Sequence, residues 1–167
     1  MRESDHRTFQ FLLPFAALGV VTFVCGQAKP SEYNVPDEVA QCMNSLGSDY
    51  TISTRLNPFY LRGDFDADQK ADHAVLIQKG NQRGIAICRT GAAKPVLLGA
   101  GIEFNKMKDF NFDAWLVYSK SRPMERGVGE GPPPTLIADA ILLQWEESAS
   151  ALVYWNGKRF LWYQQGD

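Results

Sequence analysis

Residues 73–89 read HAVLIQKGNQRGIAICR, and the fold class turns on them. Val75-Leu76-Ile77 and Ile85-Ala86-Ile87 are apolar at consecutive positions, so side chains on both faces of each strand avoid water. A strand with one face in solvent would alternate instead. Gly80-Asn81-Gln82-Arg83 lies between the two runs and has the composition of a turn. The segment therefore reads as two strands, residues 73–79 and 84–89, of a sheet covered on both sides.

Further strand-like runs lie outward of this pair, at residues 50–55, 59–62, 95–98, 114–118, 139–145, 151–155 and 158–163. Asn156-Gly157 separates the last two and favours a two-residue type I′ turn. That turn would pair Trp155 with Lys158, Val153 with Phe160 and Ala151 with Trp162. One helix stands out, at residues 36–46. Pro36 suits a first turn, Asp37 and Glu38 suit its positive end, and Gly47 supplies a stop. Val39, Cys42, Met43 and Leu46 form one apolar stripe at i, i+3, i+4 and i+7. Such a helix covers only one side of a sheet. The expectation is an α+β fold: mainly antiparallel β-sheet, a curved meander of hairpins, with one N-terminal helix packed on it. Trp145, Tyr154, Trp155, Phe160, Trp162 and Tyr163 read as core rather than as a sugar-stacking platform, given the area each ring buries. Residues 119–134, SKSRPMERGVGEGPPP, are expected to form a flexible loop, because consecutive prolines cannot join a ladder.

The chain has 167 residues, 45% hydrophobic and 12% aromatic, enough for one domain with a real core. A net charge of −2 at pH 7 removes the electrostatic ground for nucleic acid or an anionic membrane surface as partner. Residues 9–24, FQFLLPFAALGVVTFV, carry no charge, yet a helix of that length reaches only ~24 Å of a ~30 Å hydrocarbon layer. Gly26 and Ala28 place small residues where a signal peptidase reads. The reading is a signal peptide at residues 1–28, a short tail at 29–35 and one domain at 36–167, periplasmic or secreted. An uncleaved anchor is the alternative. Cys25 leaves with the signal, and Cys42 and Cys88 remain in an oxidising space. They form either a disulfide, worth roughly 4 kcal/mol in the chain-entropy model, or two separately buried thiols. Spacing does not choose between these.

Several chemistries are excluded. His73 is the one histidine after the signal, which removes His-rich zinc sites. No HExxH, GxSxG, Walker or dinucleotide glycine motif occurs. Glu146 or Glu147 with Glu103 or Asp113 would make the carboxylate pair of a small glycosidase-like hydrolase, although adjacent carboxylates at a hairpin more often solvate a turn.

Residues 63–72 read GDFDADQKAD. Asp64, Asp66, Asp68 and Asp72 fall at loop positions 1, 3, 5 and 9, with Tyr60-Leu61 before and Ala74-Val75-Leu76-Ile77 after. Residues 60–77 resemble the calcium loop of FG-GAP (VCBS-type) repeats, in which a GDFDGDGKADLAVL-like stretch joins two strands. The stretch occurs once, so the resemblance implies the loop and not the family's propeller. It implies a calcium site with Asp64, Asp66, Asp68 and Asp72 as side-chain ligands and the Lys70 carbonyl as a backbone ligand. An EF-hand is excluded, because position 12 is Val75 where that motif needs a bidentate Glu. Gln69 stands where the family has glycine for a positive φ, a conformation that costs a non-glycine residue about 1–2 kcal/mol. In a metal-free loop Lys70 would be the internal counter-charge. The functional expectation is an exported envelope protein, a non-catalytic binding module for a protein or glycan, with a structural calcium loop. A small periplasmic hydrolase is its rival.

Overall fold

The computed structural model describes residues 34–124, 126–127, 131–146 and 149–166; the signal peptide expected at residues 1–28 lies outside them. Among the described residues, no helix is long and apolar enough to cross a membrane. In the described residues one helix, α1 (Asp37–Leu46), precedes nine strands: β1 (Thr51–Ile52), β2 (Tyr60–Gly63), β3 (Asp72–Lys79), β4 (Gln82–Cys88), β5 (Val96–Gly99), β6 (Ala114–Tyr118), β7 (Ala140–Gln144), β8 (Ser150–Trp155) and β9 (Phe160–Gly166). All pair antiparallel, in two sheets: β1-β3-β4-β5 with β2 also on β3, and the meander β6-β7-β8-β9. The α+β expectation holds.

β1 is shorter than its run of strand-forming residues, and the reason is competition for one edge. Thr51 and Ile52 pair with Gln78 and Ile77, but β2 takes the same edge of β3 from Val75 onward. The Leu76 amide donates to the Phe59 carbonyl while its own carbonyl accepts from Ser53, so the handover happens within one residue.

The doubly apolar runs are covered as their composition requires. Leu61, Ala74, Leu76, Ile85, Ile87 and Leu98 face Phe110, Phe112, Trp115, Ile141, Leu143, Val153 and Phe160 in a shared core between the sheets. On the outer side of the first sheet, Val75, Ile77, Ala86 and Cys88 lie under Val39, Cys42, Met43 and Leu46 of α1. Outside the second sheet, Tyr118, Ala140, Leu142 and Leu152 carry Met124 and Leu136 from the connection between β6 and β7. The folded-over sheet is thus two sheets face to face, each with its own outer cover.

The β8–β9 hairpin corrects the expected register. Trp155 pairs with Phe160, Val153 with Trp162 and Ala151 with Gln164. The loop is four residues, because the Asn156 side-chain oxygen accepts the amides of Lys158 (3.0 Å) and Arg159 (2.9 Å). A type I′ turn needs two successive residues at positive φ, and only Gly157 has it here (91°). The slip is even, so every side chain keeps its face. Trp155, Phe160 and Trp162 still point into the inter-sheet core, and Tyr154 outward.

Described parts of the Gly/Pro-rich segment contact the second sheet. The Tyr118 hydroxyl donates to the Pro123 carbonyl at 2.7 Å. The Tyr163 hydroxyl accepts the Gly127 amide and donates to the Gly131 carbonyl, both at 3.2 Å. A Cβ on Gly127 would run into the Gln164 carbonyl.

Gly84, opposite Gly99 in the ladder, is a second close approach. A Cβ there would overlap the Leu98 carbonyl oxygen and the Ala100 amide. Gly84→Ala is expected to cost about 2–3 kcal/mol by overpacking, read as a lower urea midpoint. Amide protection in β5 should fall before that of β7 and β8.

Candidate metal centre

The aspartate loop hangs between β2 and β3, and an aromatic side chain anchors it. Phe65 has no exposed surface and inserts into the inter-sheet core. Gly63 makes room for it, since a Cβ there would sit 3.0 Å from the Phe65 ring and 3.3 Å from Asp139 Oδ2. Asp72, wholly buried at the start of β3, accepts the Phe65 amide on Oδ2 (3.1 Å) and the Thr90 amide on Oδ1 (2.7 Å). Thr90 Oγ1 donates to the Ala71 carbonyl at 2.6 Å. Asp72 thereby ties the loop's beginning to its end and to the chain leaving β4.

Between these anchors the backbone coils through short Asx contacts. Asp66 Oδ1 accepts the Asp68 amide (3.3 Å) and Asp68 Oδ1 the Lys70 amide (2.8 Å). Gln69 takes the positive φ expected of position 6, at 65°. Ala67 does so too, at 67°, which the residue pattern did not indicate.

Three of the four expected aspartates converge. Asp64, Asp66 and Asp72 each place a carboxylate oxygen within 4.8 Å of the others. Asp68 turns away and pairs with Lys70 Nζ at 3.1 Å, so these two residues answer each other. The turn after β6 and the residue after β4 supply further charges. Lys120 Nζ lies 3.3 Å from Asp64 Oδ2, and Arg89 Nη1 3.6 Å from Asp66 Oδ2. Arg89 also stacks over Trp155, 5.4 Å from the ring centroid. The Asp139 amide donates to the Asp64 carbonyl (2.8 Å), while its side chain accepts the amides of Asp64 (3.3 Å) and Lys120 (3.2 Å). None of Arg89, Thr90, Lys120 or Asp139 carries a sequence signal, being single residues brought to the loop by strand pairing.

Burial pushes the Asp72 carboxyl up to about 6, against the pull of the Thr90 and Phe65 amides and with the Asp66 and Asp68 charges adding to the rise. Asp68 moves the other way, held low by the amide and ammonium of Lys70. The donor set is all oxygen, which suits a hard cation. Asp64 Oδ1 is buried without a hydrogen-bond partner among the described residues, an acceptor that a cation would satisfy. The glycosidase-like alternative finds less: Asp113 accepts the Glu146 amide at 2.9 Å as a turn contact, and Glu147 lies outside the described residues.

Two substitutions separate anchor from strain. Phe65→Ala should destabilise by about 3–5 kcal/mol, the usual cost of emptying a buried aromatic site. Gln69→Gly should stabilise by up to about 1 kcal/mol by relieving the left-handed backbone. Urea titration of the metal-free protein reads both. Among known proteins, no family model, curated protein or solved structure matches this chain.

Proposed function

We propose that Asp64, Asp66 and Asp72 hold a calcium ion, and that the ion is the structural staple of an exported, non-catalytic binding module. The carrying observation is the convergence of three carboxylates around a loop in which Asp64 keeps a buried, unpaired oxygen. Oxygen ligands on an irregular loop suit calcium, which accepts variable geometry, better than magnesium, which demands a near-ideal octahedron. Each of the three also serves the loop's architecture, through an amide or an ion pair, which favours a structural over a catalytic role. The partner of such a module is a protein or a glycan, met in the periplasm or outside the cell, where the millimolar affinities of extracellular calcium modules suffice.

Calcium that binds only the folded state stabilises it by about 2.7 kcal/mol at a hundredfold excess over its dissociation constant. The melting temperature should rise by roughly 5–10 °C over a chelator-treated sample. Asp66→Ala should remove that difference and leave the fold in place. Identical melting curves in calcium and in chelator would overturn the staple.

Asp72 adds a pH signature. The folded, metal-free protein keeps its proton up to about pH 6, whereas the unfolded chain releases it near pH ~4. Between those values the folded state binds more protons, so this group's contribution to stability declines as pH rises. Calcium takes the ionised form and must expel that proton. Its apparent affinity is therefore expected to weaken by up to about tenfold per pH unit below 6 and to level off above. Calcium titrations at pH 5, 6 and 7.5 measure the slope.

A further inference from the structure

We propose that the Cys42–Cys88 disulfide is a reductively cleavable latch, opened by thiol attack on Cys42, that holds α1 over the apolar outer face of the first sheet. The bond joins the middle of α1 to the last residue of β4, with the Cα atoms 5.8 Å apart. Besides the bond, the helix is held by the apolar contacts of Val39, Met43 and Leu46. It has 10 residues, starts at Pro36 without a side-chain cap hydrogen bond, and fully buries Val39 alone. Isolated helices of that length are marginal in water. Beneath it, Val75, Ile77 and Ala86 have no exposed surface.

The bond is reachable. A cavity of about 430 Å³ lies beside it, with Glu38, Gln41 and Ser45 of the helix on one side, Cys42 and Cys88 in its lining, and the chain from Arg89 to Pro95 opposite. Cys88 is 8% exposed and held in the ladder opposite His73. Cys42, on the less anchored element, is the more exposed residue of the two. A dithiol is the co-reactant. One of its thiolates attacks the Cys42 sulfur, forming a mixed disulfide and releasing Cys88 as a thiolate that takes a proton from water. Its second thiolate then attacks the mixed disulfide and releases Cys42. The dithiol leaves oxidised to a disulfide, and the protein keeps two thiols.

The two faces of β3 and β4 should respond differently. The inter-sheet core takes no residue from α1, so it survives the release, whereas the outer face loses its cover. Reduction is thereby a means of uncovering an apolar strip on an otherwise folded protein.

The experiment is hydrogen exchange with mass spectrometry on the full chain, before and after dithiothreitol. Protection over residues 37–46 is expected to fall about a hundredfold, the scale of a typical disulfide contribution, while β7 to β9 stay protected. Cys42→Ser should reproduce that pattern without reductant. A limiting monothiol, glutathione, should leave its adduct on Cys42. Unchanged helix protection, loss of helix and strands together, failure of Cys42→Ser to fold, or an adduct on Cys88 would each overturn the latch.

Discussion

A carboxylate without exposed surface, Asp72, organises one end of this protein. Its two oxygens accept amides from Phe65 and Thr90, one belonging to the loop and one to the chain beyond β4. The Phe65 amide is buried, and an orphaned buried donor costs about 1–3 kcal/mol. Phe65 can occupy the inter-sheet core only because its backbone is met in this way. The loop stays close to β7 because Phe65 draws it inward, and Asp64 then meets Asp139, just before β7, and Lys120, just after β6. The acidic cluster is thus a by-product of the join between the sheets as well as a candidate ligand set.

The charges around the loop are arranged in a hierarchy. Asp68 has its cation next door in the sequence, Lys70, and both are partly in solvent. Exposed pairs of this kind contribute little to stability. Lys120, after β6, and Arg89, after β4, serve Asp64 and Asp66. Among the described residues Asp72 pairs with no cation, and burial raises its proton affinity against the pull of its two amides. Protein cations and a divalent ion are therefore alternatives here. The first neutralise the rim of the cluster, whereas the second would reach its buried member.

The elements were legible because each rests on local pattern. The single helix shows in the spacing of Val39, Cys42, Met43 and Leu46. The runs Val75-Leu76-Ile77 and Ile85-Ala86-Ile87 required cover on both faces, and that cover exists. What local pattern does not contain is which layer covers which face. Nothing in residues 73–89 shows that a second sheet, and not a folded edge of the first, meets Leu76 and Ile85. The β8–β9 register failed for a related reason: the Asn156 side chain competes for the turn amides, and composition alone does not reveal that. At the site, the positive φ of Gln69 follows what the resemblance of residues 60–77 to a calcium loop implies. The partners Arg89, Thr90, Lys120 and Asp139 were not, since only the assembled sheets bring them there.

β9 ends its sheet and carries no charged residue along FLWYQQG. An uncharged edge strand is a template on which other chains can polymerise. The backbone at Gly127 lies so close to the Gln164 carbonyl that a methyl group would not fit between them, and Tyr163 fastens that stretch by its hydroxyl. The described part of the Gly/Pro-rich connection at Gly127 therefore shields an aggregation-prone border of the molecule. Because prolines cannot donate to a ladder, their presence beside Gly131 makes the shield itself a poor strand.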